Sequence, residues 1–238
     1  MKEADTDDDE RARIERVYSA YTADAAKRRA WSADNAGNRE IRTELVDTLV
    51  SVLGPAMHGP LLDVGCGSGW LLRTFAGLGI APEMLFGVDL LEHRVDVARR
   101  QVPQARIDCA DARSLPFADG SFALVTLVTV LSSVESSDLR QTVLTEAARV
   151  AGSDGLVMTY DPRVPNPLNR QTALVRRTEA QDAGLETRWS GTLTVIPPLS
   201  RRLGRTAPRT YRALARLPAL RTHRLNVLQS QGTREAPR

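Results

Sequence analysis

The sequence predicts an α/β fold, a mostly parallel sheet wound with helices on both faces, and three observations predict it. Strand-like apolar runs alternate with helix-like patterns from Leu61 to Val150, which implies right-handed crossovers and a doubly wound sheet. The first run ends in a glycine turn, Leu61–Trp70 (LLDVGCGSGW), that opens onto a helix; such a turn lets a nucleotide-like ligand approach the backbone. Acids then mark three successive strands, Asp63, Asp89 and Asp111, at the carboxyl edge where open α/β sheets bind ligands.

Taken in order, Ile14, Val17, Tyr18 and Tyr21 fall at helical spacing, and Ile41, Leu45, Leu49 and Val52 mark a second helix closed by Gly54-Pro55. Both precede the glycine strand, so they form an N-terminal addition. Trp31 and the two tyrosines are candidates for a lid over the ligand, or for packing the addition onto the core. The core begins with the strand Leu61–Val64, followed by a helix with Leu71, Phe75 and Leu78 on one face. Strand Met84–Val88 ends at Asp89, and its helix presents Leu91, Val95, Ala98 and Val102. Strand Ala105–Cys109 leads to Asp111, and Phe122–Val128 is a continuous apolar strand of the kind buried on both faces. Ser136 or Ser137 caps a helix facing inward with Leu139, Val143, Ala147 and Val150, and Gly155–Tyr160 ends at Asp161. A proline-broken loop (DPRVPNPLNR), a helix around Thr172–Ala183, a strand Leu185–Val195, two short basic helical pieces in Pro197–Leu220 and a last strand Arg221–Gln229 complete the chain.

Composition sets the bounds. With 238 residues, 42% of them apolar and 26% charged, one ordinary domain with small additions is expected. The boundaries read as a disordered acidic tail over 1–10, a helical cap over 11–55, a core over 56–195, a basic helical insertion over 196–220, the last strand over 221–229 and a disordered tail over 230–238. The net charge of +3 does not call for a nucleic acid. The basic run from Arg201 offers a surface to an anionic acceptor or a membrane face, or is simply a solvated helix face. Cys66 and Cys109 read as small core residues, with no disulfide framework. The acidic start is unlike a signal peptide and Phe122–Val134 is too short to span a bilayer, so a soluble cytoplasmic protein is expected.

The pattern D-V-G-C-G-S-G, then G-V-D, then C-A-D-A, then F-A-L-V-T-L-V-T-V-L-S-S-V, resembles the class I S-adenosylmethionine (SAM) dependent methyltransferases over about residues 60–160. The resemblance implies a Rossmann-like seven-stranded sheet of order 3-2-1-4-5-7-6 with the last strand antiparallel. It implies cofactor contacts at Asp63, Gly65, Gly67, Gly69, Asp89, Leu90 and Asp111, with backbone contacts at Ala112 and Val128. Asp89 can accept hydrogen bonds from a ribose diol and Asp111 one from an adenine amine, while Asp63 would help place the ammonium end. Ser132-Ser133 departs from the family, where many relatives have a histidine pair. Three short pieces, Trp31 with Asn35-x-Gly37-Asn38, Asn166–Arg170 and Arg221-Thr222-His223, are similar to bacterial methyltransferases of polysaccharide and secondary-metabolite pathways.

Absences narrow the reaction. There is no D-P-P-Y or N-P-P-Y tetrad after the fourth strand, no Pro-Cys context there, and no carboxylate ending that strand. Nucleobase amines, a covalent pyrimidine route and a metal-assisted catechol site are therefore disfavoured, and no metal is expected. The expected activity is O-methylation of a small-molecule or saccharide hydroxyl, with S-adenosylhomocysteine as product. The alternatives are N- or C-methylation of a secondary metabolite, RNA methylation, and a catalytically silent binding protein. His223, at the start of the presumed antiparallel strand, and Asp161, at the fifth strand's tip, are the candidate bases; each also has a purely structural role open to it.

Overall fold

The structure is a computed structural model that describes residues 2–24, 29, 32, 34–165, 172–203 and 208–230. Two helices, α1 (Lys2–Ala23) and α2 (Ala36–Leu53), lead into β1 (Leu61–Val64), α3 (Trp70–Gly77), β2 (Leu85–Asp89), α4 (Glu92–Gln101) and β3 (Arg106–Cys109). Then come β4 (Leu124–Val128), α5 (Ser137–Ala151), β5 (Leu156–Pro162), α6 (Thr178–Asp182), β6 (Leu185–Val195), α7 (Pro197–Leu203), α8 (Pro208–Leu214) and β7 (Arg221–Ser230). The sheet order is β3-β2-β1-β4-β5-β7-β6, with β7 antiparallel to both neighbours, as the resemblance implied.

Because successive strand side chains point to opposite faces, the apolar runs fill two cores at once. Leu61, Leu85, Leu124, Met158 and Leu225 face α2, α3 and α4, packing with Leu45, Leu49, Leu71, Phe75 and Val95. Leu62, Val125, Val157 and Leu228 face the other way, onto Val143, Leu144, Ala147 and Val150 of α5. A third cluster, Val195, Tyr211 and Ala215 with Ile41 and Leu199, seats α7 and α8 against α2. Among the described residues no helix is long and apolar enough to cross a membrane.

Within α1, Glu10 pairs with Arg13 one turn on, at 2.7 Å. Several readings are corrected. Cys109 is exposed rather than buried, because β3 is the edge strand and has a neighbour on one side only. Leu78 is the C-cap of α3 and 49% exposed. The helix expected over Thr172–Ala183 shrinks to Thr178–Asp182, since the Ala173 N–H instead donates to the Ser132 carbonyl at 2.9 Å. Trp31, Asn166–Arg170 and 231–238, for which expectations were given above, lie outside the described residues.

The inner face of α5 also carries an unexpected charge. Arg140 and Glu179, both buried, form a two-pronged pair at 2.8 and 3.0 Å that ties α5 to α6. Arg140 also donates to the Val134 and Glu135 carbonyls. Arg140→Ala removes both short bonds to the buried Glu179 carboxylate and leaves it the longer contacts from Arg176 at 3.2 and 3.4 Å, so chemical denaturation should show a loss of about 3–5 kcal/mol. A loss within the range of a surface substitution would contradict the pairing.

Candidate active site

The β1 strand ends at a turn that only glycines fill well. Gly65, Gly67 and Gly69 have φ of 68°, 57° and 77°, in the left-handed region. A Cβ on Gly67 would stand 2.4 Å from an Arg94 guanidinium nitrogen, and one on Gly65 2.6 Å from Val130 Cγ2. Gly69 is the N-cap of α3, whose first turn points its free N–H groups at this edge of the sheet.

The three acids are placed differently. Asp89, buried at the tip of β2, accepts from the Gly67 N–H at 2.8 Å and the Leu91 N–H at 3.1 Å, one bond to each oxygen. A carboxylate has about four lone-pair sites, so roughly half of its accepting capacity is left over. Asp63 is buried inside β1 and accepts from the Thr126 hydroxyl, directly across on β4, at 2.7 Å. Burial and the neighbouring Asp89 push its carboxyl up to about 7, against the lowering by Thr126. Asp111, half-buried, is clasped by Arg113 at 2.6 to 3.0 Å and also accepts from the Arg113 N–H. Burial would raise its carboxyl; these bonds outweigh it and hold it below the ordinary value. Leu90, Ala112 and Val128 stand half-buried beside these strand tips.

Helix α1 straps this edge. Arg13 donates to the Ser133 carbonyl after β4, and Glu10 accepts from the Glu135 N–H at 3.2 Å. Tyr18 lies under the Arg94 guanidinium, 4.4 Å from ring centre to carbon, and Arg94 in turn fills the space over Gly67. Tyr18 thus packs α1 onto the edge beside the glycine turn; nothing is described of the Tyr21 and Trp31 side chains.

The two candidate bases fall on opposite faces of the sheet. In the β5–β7 register Asp161 faces Arg224 and Pro162 faces His223, so strand alternation separates them. His223 shares its face with Tyr160, on which it stacks at 5.0 Å, and with the α2 to α4 side to which Asp63 and Asp89 also belong. Its Nδ1 is 3.0 Å from the Thr222 hydroxyl. Burial, then the Arg201 charge, lowers the imidazole to about 4. Asp161 points to the α5 and α6 side, accepting from the Ser132 N–H at 2.9 Å. Its second oxygen, Oδ2, has no hydrogen-bond partner among the described residues. Burial raises its carboxyl to about 6.

Two pieces far apart in sequence meet on the His223 face. Asn35 caps α2 by accepting from Gly37 and Asn38, and Asn38 accepts from Arg201 of α7 at 3.0 Å. A Cβ on Gly37 would lie 2.2 Å from the Ser200 carbonyl, so glycine there sets how closely α7 approaches. Sequence reasoning missed Glu44, which accepts from the Thr194 N–H at 2.9 Å and the Tyr211 hydroxyl at 2.6 Å, and Tyr160, which bonds to Thr194. The available signal was an acid next to Leu45 on the inward stripe of α2.

The family model for a methyltransferase domain matches residues 62–159. The chain is 31% identical over 144 residues to 27-O-demethylrifamycin SV methyltransferase of Amycolatopsis mediterranei, covering 58% of this chain and 51% of that protein. It is 30% identical over 173 residues to the O-methyltransferase cnsE of Penicillium expansum, covering 68% and 57%. The chain thus spans about half the length of the curated relatives it matches. Among solved structures, magnesium protoporphyrin IX methyltransferase from Synechocystis PCC 6803 superposes with a TM-score of 0.60 at 15% identity, over 92% of this chain and 97% of that one. This is a likeness of fold.

A buried acid held near neutrality leaves a signature in stability. The folded Asp63 carboxyl keeps its proton up to about pH 7, whereas its ordinary value is 3.8. In that window the native state binds more protons, so Asp63 costs stability as pH rises through it. Asp63→Asn should therefore raise the unfolding free energy at pH 8 and remove this part of its pH dependence, as read by urea titrations. A variant less stable than wild type at pH 8 would contradict the assignment.

Proposed function

We propose that this chain, in which residues 62–159 match the family model for a methyltransferase domain, is a class I SAM-dependent methyltransferase that methylates a hydroxyl oxygen of a small-molecule acceptor of the secondary-metabolite or saccharide class. The observation that carries the reading is the Asp89 carboxylate, anchored beside the glycine turn by two backbone N–H groups and retaining acceptor capacity for a ribose diol. The glycine turn and the start of α3 offer N–H groups to the amino-acid carboxylate, with the Arg94 cation next to them. Asp63 is suited to the ammonium group and Asp111 to the adenine amine. The names of the curated relatives, which specify O-methylation, support the choice of oxygen.

Bound SAM supplies a methyl group on a sulfonium, whose carbon–sulfur electron pair returns to sulfur as the new oxygen–carbon bond forms. The protein's part is alignment, exclusion of water and removal of the hydroxyl proton. His223 is our choice of base over Asp161, because it shares a sheet face with Asp63 and Asp89 and its imidazole is neutral at physiological pH. Tyr160 orients the ring from below and Thr222 from one side. The strap of α1 closes the edge with Tyr18 and Arg94.

Asp89→Ala should weaken SAM binding by roughly 1–3 kcal/mol in calorimetry; unchanged affinity would remove the ribose assignment. His223→Ala should keep SAM affinity and lower kcat by about 10²–10⁴ once an acceptor panel of phenols, macrolide-type alcohols and sugars has given a methylated product. Wild-type kcat should stay level on the acid side until the pH nears about 4. Turnover of His223→Ala at the wild-type rate would show that alignment alone suffices.

A further inference from the structure

On the face of the sheet turned away from His223 lies a cavity of about 280 Å³, floored by β5 and β7 and walled by α5 and α6. Four arginines line it, Arg163, Arg176, Arg177 and Arg224, of which Arg176 pairs with Glu179 at 3.4 Å. The Arg163 side chain donates to the Arg221 carbonyl and its backbone N–H to the Thr222 carbonyl, and among the described residues Arg163, Arg177 and Arg224 form no ion pair. The acids nearby are already committed: Glu179 is held by Arg140 and Arg176, and Asp161 accepts from Ser132 through one oxygen. Asp161 and Arg224 sit directly opposite each other across the two strands, a register that brings Cβ atoms to about 5 Å, yet they do not pair. Both line the cavity, and the buried Asp161, 6% exposed, leaves its second oxygen without a hydrogen-bond partner among the described residues. Burial lowers the Arg224 guanidinium, and the charges of Arg177 and Arg163 lower it further. Like charges gathered without a counter-ion are costly, and an anion relieves that cost.

We propose that this cavity is a binding site for a small phosphate ester that carries a free hydroxyl, with Arg163, Arg177 and Arg224 on the phosphate and Asp161 accepting from the hydroxyl. Three guanidiniums match a dianion, and their planar forks suit phosphate oxygens. The unpartnered Asp161 oxygen calls for a donor on the same ligand, which inorganic phosphate does not place there as an ester's hydroxyl does. The volume is at the small end for ligand pockets, which run from about 300 Å³, so the ligand is compact. The site is separate from the glycine turn and does not depend on the methyl-transfer reading.

The test is calorimetric titration of the full chain with glycerol 3-phosphate, inorganic phosphate and glycerol. The ester should bind more tightly than inorganic phosphate, and glycerol should not bind. Arg224→Gln should lose at least tenfold in affinity for both phosphates while SAM affinity stays at the wild-type value. The exposed Arg177→Gln is the second variant should Arg224→Gln fold poorly. Asp161→Asn should abolish the advantage of the ester over inorganic phosphate and keep phosphate binding. Absence of phosphate binding to the wild type, equal affinity for the two phosphates, or unchanged affinity in both arginine variants would overturn the proposal. Loss of SAM binding by the wild type would count against the methyltransferase reading alone.

Discussion

One carboxylate ties the ligand edge together. Asp89 closes β2 and holds the Gly67 N–H of the turn that leaves β1 and the Leu91 N–H that leads into α4. The Leu91 bond is local, but the Gly67 bond, 22 residues apart in sequence, requires β1 and β2 to pair in parallel, in the register that sets Asp63 opposite Gly87. The left-handed glycines are required for the same reason, since the turn must fold back far enough to meet that carboxylate. Buried charge with hydrogen bonds on only part of its acceptor set costs stability, and here the cost is placed where a ribose would recover it.

The antiparallel last strand divides the labour between the two faces. Inserting β7 between β5 and β6 brings Arg221 to Arg224 beside the carboxyl tip of β5, and strand alternation then sends His223 to one side and Arg224 to the other. The first side holds Tyr160, Arg201 and the capped start of α2, and continues to Asp63 and Asp89. The second holds Asp161, the four arginines and α6, which is so short that a cavity is left against the sheet. A basic sequence segment thus sends side chains to two faces of different chemistry.

Most of the frame was legible because its signals are local. Apolar runs, glycines at strand ends and Ser136 as a cap each act over a few residues, and every core strand falls within two or three residues of its expected place. What was hidden depends on which strand lies at the edge and which side chains meet across the fold. Cys109 reads as core until β3 is known to have one neighbour. Arg140 reads as solvated until Glu179, 39 residues on, is brought to it. His223 and Asp161 read as rivals for one role, although the register separates them. The Asn38 and Arg201 contact, likewise, joins segments 163 residues apart.

The glycine turn and Asp89 together point to SAM at the β1 and β2 tips with its ribose on Asp89. The most direct measurement is a crystal structure of the protein with S-adenosylhomocysteine. Both ribose hydroxyls should lie within about 3 Å of the Asp89 oxygens, with the Gly67 and Leu91 bonds intact and the sulfur facing the His223 side of the sheet. A ribose held elsewhere, or a sulfur facing Asp161, would contradict it.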